Sequence, residues 1–258
     1  MSRSGQAAPP PFIGLVAHEV RWRLLSELAR SDLRVRELVA LVEQPQNLVS
    51  YHLRLLRSGG LVTVRRSSHD GRDSYYHLDL ERLGQGLAAT GAALHPALGP
   101  VPAPPAPREA TACVLFACTG NSARSPIAEA LLRRRTGGRV EVASAGSHPK
   151  PRLHPAAVRV LRERYGIDVA DRRPRRLDDL ADRGFSHVIS LCDKVREVFP
   201  DFGGHPRRIH WSIPDPAAVG EGPADEFQAA FARTAAEIDA RIGYLIPRLA
   251  QPEQEIRP

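Results

Sequence analysis

The stretch Cys118-Thr-Gly-Asn-Ser-Ala-Arg-Ser-Pro126 places a thiol and a guanidinium at the two ends of one short loop. The apolar run before it, residues 112–117, is typical of a buried parallel strand, and residues 127–132 have helical spacing. The loop therefore leads into a helix N-terminus, where backbone N–H groups attract an anion and favour a thiolate. This pattern predicts an oxyanion site with Cys118 as nucleophile and Arg124 as a bidentate anion ligand.

The residues inside the loop suit that role. Gly120 and Asn121 tolerate the left-handed backbone that turns several N–H groups inward. We expect Ser125 to support the thiolate by a hydrogen bond. The predicted oxyanion-binding residues are Thr119, Gly120, Asn121, Ser122 and Ala123.

Residues 111–250 resemble the low-molecular-weight protein tyrosine phosphatases and the arsenate reductases that share their fold. Besides the loop, the resemblance rests on four segments: Ser144-Ala-Gly-Ser147, His154-Pro-Ala-Ala-Val158, His187-Val-Ile-Ser-Leu-Cys-Asp193 and His210-Trp-Ser-Ile-Pro-Asp-Pro-Ala217. It implies an α/β doubly wound domain with a four-stranded parallel sheet, closed by a helix at residues 225–249. It also implies that Asp215 is the general acid.

Two reactions fit this set of residues. A phosphatase hydrolyses a phosphocysteine, whereas a reductase needs a second thiol that attacks sulfur and releases arsenite. Ala217-Ala218, where the phosphatases usually carry aromatic residues, favours the reductase. Pro126 is commoner in the phosphatases. The resemblance thus implies an arsenate reductase, with a phosphomonoesterase as the alternative.

Cys192 is the candidate resolving thiol. The segment Cys192-Asp-Lys-Val-Arg-Glu197 resembles the resolving segment of the reductases, but Phe199 occupies the position of the second resolving cysteine in thioredoxin-coupled enzymes. A Cys118–Cys192 disulfide, resolution by a small external thiol, and an inert buried Cys192 all remain open. Cys113 lies inside the apolar strand and is expected in the core.

Composition limits the class of protein further. The 258 residues leave room for a second domain of roughly a hundred residues. Three cysteines suit a reducing cytoplasm, and no segment has the ~20 apolar residues of a membrane span. A net charge of +7 permits polyanion binding. We expect loose tails at residues 1–11 and 251–258, and a Pro/Ala-rich linker at 93–110.

The N-terminal half has the pattern of a winged helix-turn-helix. Apolar residues predict helices over residues 15–28 and 35–42, and a third over residues 46–57 that ends at Ser58-Gly59-Gly60. Residues 61–66 and 74–78 then read as a hairpin around Asp70-Gly71. This half is an α+β unit.

Residues 12–92 resemble the ArsR-type repressors, chiefly in Asn47-Leu-Val-Ser-Tyr-His-Leu-Arg-Leu-Leu-Arg-Ser-Gly-Gly-Leu-Val62. The resemblance implies a homodimer that reads a double-stranded DNA operator, with residues 46–57 in the major groove. His52 is expected to pack at the base of this helix. The residues implied in DNA contact are Gln46, Asn47, Ser50, Tyr51 and Arg54 on the helix, and Arg65 and Arg66 on the wing, with Arg72 beside them.

One departure changes the expected function of this half. Family members that sense arsenite often carry cysteines where this chain has Arg34 and Arg36, so thiolate sensing there is excluded. No metal or organic cofactor is expected, although a reductase needs an external thiol donor, of thioredoxin type or smaller. We therefore predict a cytoplasmic DNA-binding regulator fused to an arsenate reductase. A fused phosphatase, or a non-catalytic oxyanion sensor controlling DNA binding, is the alternative.

Overall fold

The computed structural model describes residues 10–95, 98–99, 112–200, 202, 205–219 and 224–249. The chain divides into two compact units, residues 1–103 and 104–258. Nearly all of the N-terminal tail predicted at 1–11, most of the linker predicted at 93–110 and the tail at 251–258 lie outside the described residues. None of the described helices is both long and apolar enough to cross a membrane.

The N-terminal unit contains five helices and a small antiparallel sheet of order β1-β3-β2 within its described residues. Its elements are α1 (Pro11–Val16), α2 (Glu19–Leu28), β1 (Leu33–Arg34), α3 (Val35–Val42), α4 (Gln46–Ser58), β2 (Val62–Arg66), β3 (Ser74–Leu78) and α5 (Leu80–Leu94). The core lies between α2, α3 and α4, where Leu24, Leu38 and Leu56 are fully buried. The predicted winged helix-turn-helix is confirmed.

Two details of this unit differ from the prediction. The helix expected over residues 15–28 is interrupted, because the ring of His18 accepts a hydrogen bond from the Val20 amide at 3.2 Å and begins a new helix there. Helix α5 was not predicted. It begins where Asp79 accepts a hydrogen bond from the Arg82 amide at 2.9 Å, and it continues to Leu94, past the start of the linker predicted at residue 93.

The C-terminal unit is built on a four-stranded parallel sheet of order β5-β4-β6-β7. Its elements are β4 (Cys113–Cys118), α6 (Arg124–Arg135), β5 (Glu141–Gly146), α7 (Pro155–Tyr165), β6 (His187–Ser190), α8 (Asp193–Arg196), β7 (Arg207–His210) and α9 (Ala224–Leu249). Strand β4 is buried from Val114 onward, with Val114, Leu115 and Phe116 at zero exposure. The predicted fold class is confirmed, and the carboxyl ends of the parallel strands meet at one edge.

Candidate functional site

The loop between β4 and α6 lies at that edge. Cys118 is the last residue of β4 and Arg124 the first of α6, so the seven residues 118–124 make the whole turn from strand to helix. Asn121 adopts the left-handed conformation with φ of 43°, as its residue type allows, whereas Gly120 does not. Gly146 at the end of β5 permits the close approach of this loop, because a Cβ there would lie 2.6 Å from the Thr119 carbonyl oxygen.

A second segment, residues 147–154, forms a wall beside the loop. Backbone amides hold it in register: His148 donates to the Thr119 carbonyl at 2.9 Å, and Lys150 donates to the Gly120 carbonyl at 2.9 Å. His154 begins α7 by accepting a hydrogen bond from the Ala156 amide, and its ring stacks on Phe231. Burial lowers the pKa of His154, and the nearby Asp215 carboxylate opposes this shift. Its neutral form is therefore favoured.

The thiol of Cys118 is held by the hydroxyl of Ser125. The Sγ and Oγ atoms are 3.0 Å apart, and both side chains are buried. Asn121 donates to the same Ser125 oxygen at 2.9 Å, so the hydroxyl proton can point either at sulfur or at the Ala145 carbonyl, which lies 3.4 Å away. The structure thus brings together the predicted nucleophile and the serine that the sequence assigned to it.

Arg124 is buried at the mouth of the loop. Its Nη1 donates to the Ile213 carbonyl at 2.9 Å, and its Nη2 donates to the Asp215 carboxylate at 3.0 Å. The Asp215 side chain is 47 % exposed, so it reaches both the guanidinium and solvent. Asp215 Oδ1 also accepts from the Ala217 amide, which fixes the carboxylate over the loop. An acid group, a fixed cation and a thiol therefore face one space.

That space is a cavity of about 710 Å³. Cys118, Arg124 and Asp215 line its floor, and Lys150 and Arg152 add positive charge at its wall. None of the described residues that line the cavity is Phe, Tyr or Trp. A cationic cavity whose described lining lacks Phe, Tyr and Trp suits a small anion better than a phenyl ring.

Cys192 lies next to the loop. Strands β4 and β6 pair with Ala117 opposite Ser190, so the segments that follow these two strands leave the sheet side by side. The Cys192 thiol contacts the Thr119 hydroxyl at 3.3 Å. Burial raises the pKa of Cys192, and the Arg124 guanidinium opposes this rise.

Two other positions from the sequence analysis lie outside this site. Phe199 packs edge-on against Phe202. Cys113, for which the sequence predicted a core position, is only half-buried at the edge of the core.

The residues that support the loop through Asn121 were not predicted from the sequence. Asn121 also donates to Ser144 at 2.9 Å, and the Ser144 hydroxyl donates to the buried Glu129 carboxylate at 2.6 Å. Glu129 interrupts the otherwise apolar run of residues 126–132, and a buried carboxylate requires a cation or several donors. That rule would have identified Glu129.

Helix α4 of the N-terminal unit presents a polar face to solvent. Val49, His52 and Leu53 are buried, as is Leu56. The predicted contact residues Gln46, Asn47, Ser50, Tyr51 and Arg54 are all exposed. The guanidinium carbon of Arg54 lies 5.5 Å from the centre of the Tyr51 ring, which holds both side chains on one face.

The wing continues this polar surface in part. Arg66 and Arg72 are exposed, whereas Arg65 is half-buried opposite Tyr75 in the hairpin. Arg34 and Arg36 each donate a hydrogen bond to Asp73 at 3.1 Å, which connects the start of α3 to the wing. These are the two positions at which the sequence analysis noted cysteines in arsenite sensors. Among the described residues, no group of three or more His, Cys, Asp and Glu could hold a metal ion.

The fold and the two sites define a winged helix-turn-helix unit followed by a doubly wound unit with a cysteine–arginine oxyanion loop. Residues 18–64 match the family model of the arsR family of bacterial regulatory proteins. Residues 113–255 match the model of the low molecular weight phosphotyrosine protein phosphatases. This second match spans more than half of the chain, and the chain belongs to that family.

Relatives of the C-terminal half carry the name arsenate reductase. One from Halalkalibacterium halodurans is 34% identical over 129 residues, which is 50% of this chain and 91% of that protein. Another from Bacillus licheniformis is 37% identical over 133 residues, again 50% and 91%. A crystal structure of arsenate reductase from Archaeoglobus fulgidus is 29% identical and covers 52% of this chain and 98% of that one, with a TM-score of 0.43.

Proposed function

We propose that the C-terminal unit is a cysteine-dependent arsenate reductase and that the N-terminal unit is its fused DNA-binding regulator. The observation that carries the reductase assignment is the position of Cys192, whose thiol lies 3.3 Å from the hydroxyl of the loop residue Thr119. A hydrolytic phosphatase needs one thiol, whereas a reductase needs a second beside the first. The names of the relatives support the same assignment.

The first chemical step joins Cys118 to arsenic. Arg124 and the loop amides bind the arsenate oxygens, and the Cys118 thiolate attacks arsenic. Asp215 gives its proton to the departing oxygen, which leaves as water. An S–As bond replaces an As–O bond, and arsenic remains As(V).

The second step transfers the electrons. The Cys192 thiolate attacks Sγ of Cys118, and the electron pair of the S–As bond passes to arsenic, which leaves as As(III) in arsenite. The two thiols lose two electrons and form a Cys118–Cys192 disulfide. An external thiol, of thioredoxin type or smaller, then reduces this disulfide. A reducing cytoplasm supplies such thiols.

The second candidate is a phosphomonoesterase. One observation favours it: Pro126 follows the loop at the start of α6, as in the phosphatases that the loop resembles. In this reaction water attacks a phosphocysteine, with Asp215 now acting as base, and Cys192 is not needed. The described residues that line the cavity include no Phe, Tyr or Trp, which argues against phosphotyrosine as substrate.

Turnover of the full chain tests the choice. Arsenite production is measured with thioredoxin and with a small thiol, and hydrolysis of p-nitrophenyl phosphate is measured separately. We expect arsenite production that disappears in Cys118→Ser and falls at least a hundredfold in Cys192→Ser. Cys113→Ser is the matched control, since this third thiol lies half-buried at the amino end of β4, and it should keep full activity.

Other outcomes redirect the assignment. Ester hydrolysis without arsenite production would establish the phosphatase. No turnover with either substrate, together with arsenate-dependent DNA binding, would establish the non-catalytic sensor. Full arsenite production by Cys192→Ser would show that an external thiol resolves the intermediate directly.

The regulator is proposed to bind its operator as a homodimer through the N-terminal unit. Helix α5 supports this, because none of its described residues is buried and Leu87 and Leu94 are exposed. Helix α1 packs beside α5, where Gly86 leaves room for the Phe12 ring. Sedimentation of the full chain should give a dimer, and Leu87→Glu with Leu94→Glu should give a monomer that retains catalytic turnover.

A further inference from the structure

A second charged cavity, of about 320 Å³, lies beside the catalytic loop without including its thiol or Arg124. Four arginines line it: Arg133, Arg172, Arg173 and Arg175. Glu129 is the only acidic residue among the described residues that line it. The nearest charges therefore leave an excess of three positive charges around one small space.

Glu129 orients three of these arginines. Its side chain is 5 % exposed, and Oε1 accepts from Arg133 and from Arg172, each at 2.9 Å. Oε2 accepts from Arg175 at 2.8 Å. Guanidinium groups that contact one carboxylate lie close enough to repel one another, and the single charge of Glu129 cannot neutralise all three. Their geometry is fixed before any ligand arrives, which lowers the entropic cost of binding one.

Several guanidinium donors are left over after Glu129 is satisfied. Among the described residues, Arg172 donates only through Nη1, to Glu129, so its other guanidinium donors remain for an anion in the cavity. Arg173 is exposed at the rim and supplies a further cation.

We propose that this cavity is a second oxyanion site, which binds the tetrahedral dianion of phosphate or arsenate, either free or as the phosphate group of a small molecule. Planar guanidinium groups match the oxygen spacing of such anions. The site does not depend on whether the loop of Cys118 reduces arsenate or hydrolyses esters.

The site is joined to Cys118 by hydrogen bonds. The Arg175 amide donates to Asn121 Oδ1 at 2.7 Å, and Asn121 Nδ2 donates to Ser125, which holds the thiol. An anion that shifts Arg175 therefore acts on the loop residue with the left-handed backbone. Occupancy of the cavity should change the reactivity of Cys118.

The test measures binding of radiolabelled inorganic phosphate by equilibrium dialysis in the full chain with the catalytic loop disabled. Two forms disable it independently: Arg124→Ala, and the wild-type chain alkylated at Cys118. We expect one phosphate per chain in each. Adding Arg173→Gln should weaken binding about tenfold or more, because one charge-assisted hydrogen bond is lost. Arg159→Gln is the matched control, since this exposed arginine pairs with Glu163 on α7, and it should leave binding unchanged.

Competition separates the two sources of the anion. Displacement of the label by arsenate at the same concentration as phosphate assigns the site to free oxyanions. Displacement by a small phosphomonoester at a lower concentration assigns it to a phosphate-bearing metabolite.

Absence of binding in both disabled forms would overturn the proposal, and so would binding that neither Arg173→Gln nor Arg133→Gln weakens. The link to the loop has its own readout, the rate of Cys118 alkylation in Arg124→Ala. Added phosphate should change this alkylation rate, and the phosphate concentration at half-maximal change should equal the one at half-maximal binding. A rate that does not change with phosphate would overturn the link.

Discussion

The guanidinium of Arg124 donates to the carboxylate of Asp215, with Nη2 and Oδ2 3.0 Å apart, while the arginine is buried and the aspartate is half exposed. An incoming oxyanion must therefore compete with Asp215 for the same donor. We expect a bound anion to release Asp215 from Arg124, so that the ion pair couples anion binding to placement of the proposed acid.

This coupling predicts a separation of binding from turnover in Asp215→Asn. The amide cannot donate a proton as an acid, so kcat should fall by roughly 10²–10⁴-fold. The oxyanion no longer displaces a carboxylate from Arg124, so its Kd should stay the same or decrease. Measured Kd for phosphate and kcat for the active substrate check this. Parallel loss of both would contradict the coupling, and Arg124→Lys should show that parallel loss because it removes the fork.

The Ser125 hydroxyl predicts a second effect, on the reactivity of Cys118. Its oxygen lies 3.0 Å from Sγ, and a hydrogen bond to a charged acceptor is worth about 1.5–3 kcal/mol. Ser125→Ala should therefore slow alkylation of Cys118 by iodoacetamide at neutral pH by about tenfold or more. Ser122→Ala is the matched control in the same loop, since only its backbone carbonyl is tied, to the His154 amide. Equal rates in the two variants would show that Ser125 does not support the thiolate.

Much of this arrangement could be predicted from the sequence, because it rests on local patterns. The strand, loop and helix around Cys118 follow from an apolar run, a left-handed Asn121 and a helical repeat. The polar face of α4 follows from helical periodicity alone. Pairing of Arg124 with Asp215 could not be derived this way, since 91 positions separate them and only the tertiary fold brings them together.

Other features that were not predicted depend, for the most part, on contacts between positions far apart in the sequence. Arg133 lies one turn after Glu129 on α6, as a local i,i+4 pair. Arg172 and Arg175 are 43 and 46 positions away, and no local pattern predicts that they converge on Glu129. Helix α5 was not predicted because Gly84, Gly86 and Gly91 lower the helix propensity of its sequence, and its apolar residues Leu80 and Leu83 are only partly buried against the core. His77 bonds to the buried Asp32 at 3.0 Å across 45 positions, a contact that no local pattern predicts either.

A third prediction concerns pH and the stability of the sheet. Burial lowers the pKa of His187 on β6, and Arg207 and Arg248 lower it further. The unfolded chain therefore takes up a proton near the ordinary pKa of about 6.5, before the folded chain does. Stability should be complete above that pH and decrease as the pH falls toward the depressed value. The Tm of the C-terminal unit should be lower at pH 5.5 than at pH 7.5.

Replacement of the histidine tests the cause. His187→Gln keeps a side chain that can bond to Ser186 but cannot titrate, so the difference in Tm between the two pH values should shrink. His148→Gln is the matched control, because this exposed histidine lies outside the sheet, and it should preserve the difference. An undiminished difference in His187→Gln would assign the acid sensitivity to other groups.

The fourth prediction concerns DNA. If Arg66 contacts a phosphate, Arg66→Gln should weaken binding to any duplex and reduce the slope of log K against log salt by about 1, since one fewer counterion is released.

Arg54 differs, because its guanidinium lies against the Tyr51 ring and is held on the exposed face of α4. Tyr51→Ala should lower affinity by a few-fold through the loss of this contact, whereas Tyr51→Phe keeps the ring and should not. Arg30→Gln is the control, since this exposed arginine pairs with Glu27 just past the end of α2 and is not among the residues predicted to contact DNA. Salt titrations of the full chain on one duplex measure all four variants. An unchanged slope in Arg66→Gln, or equal losses in the two Tyr51 variants, would remove these side chains from the DNA-binding surface.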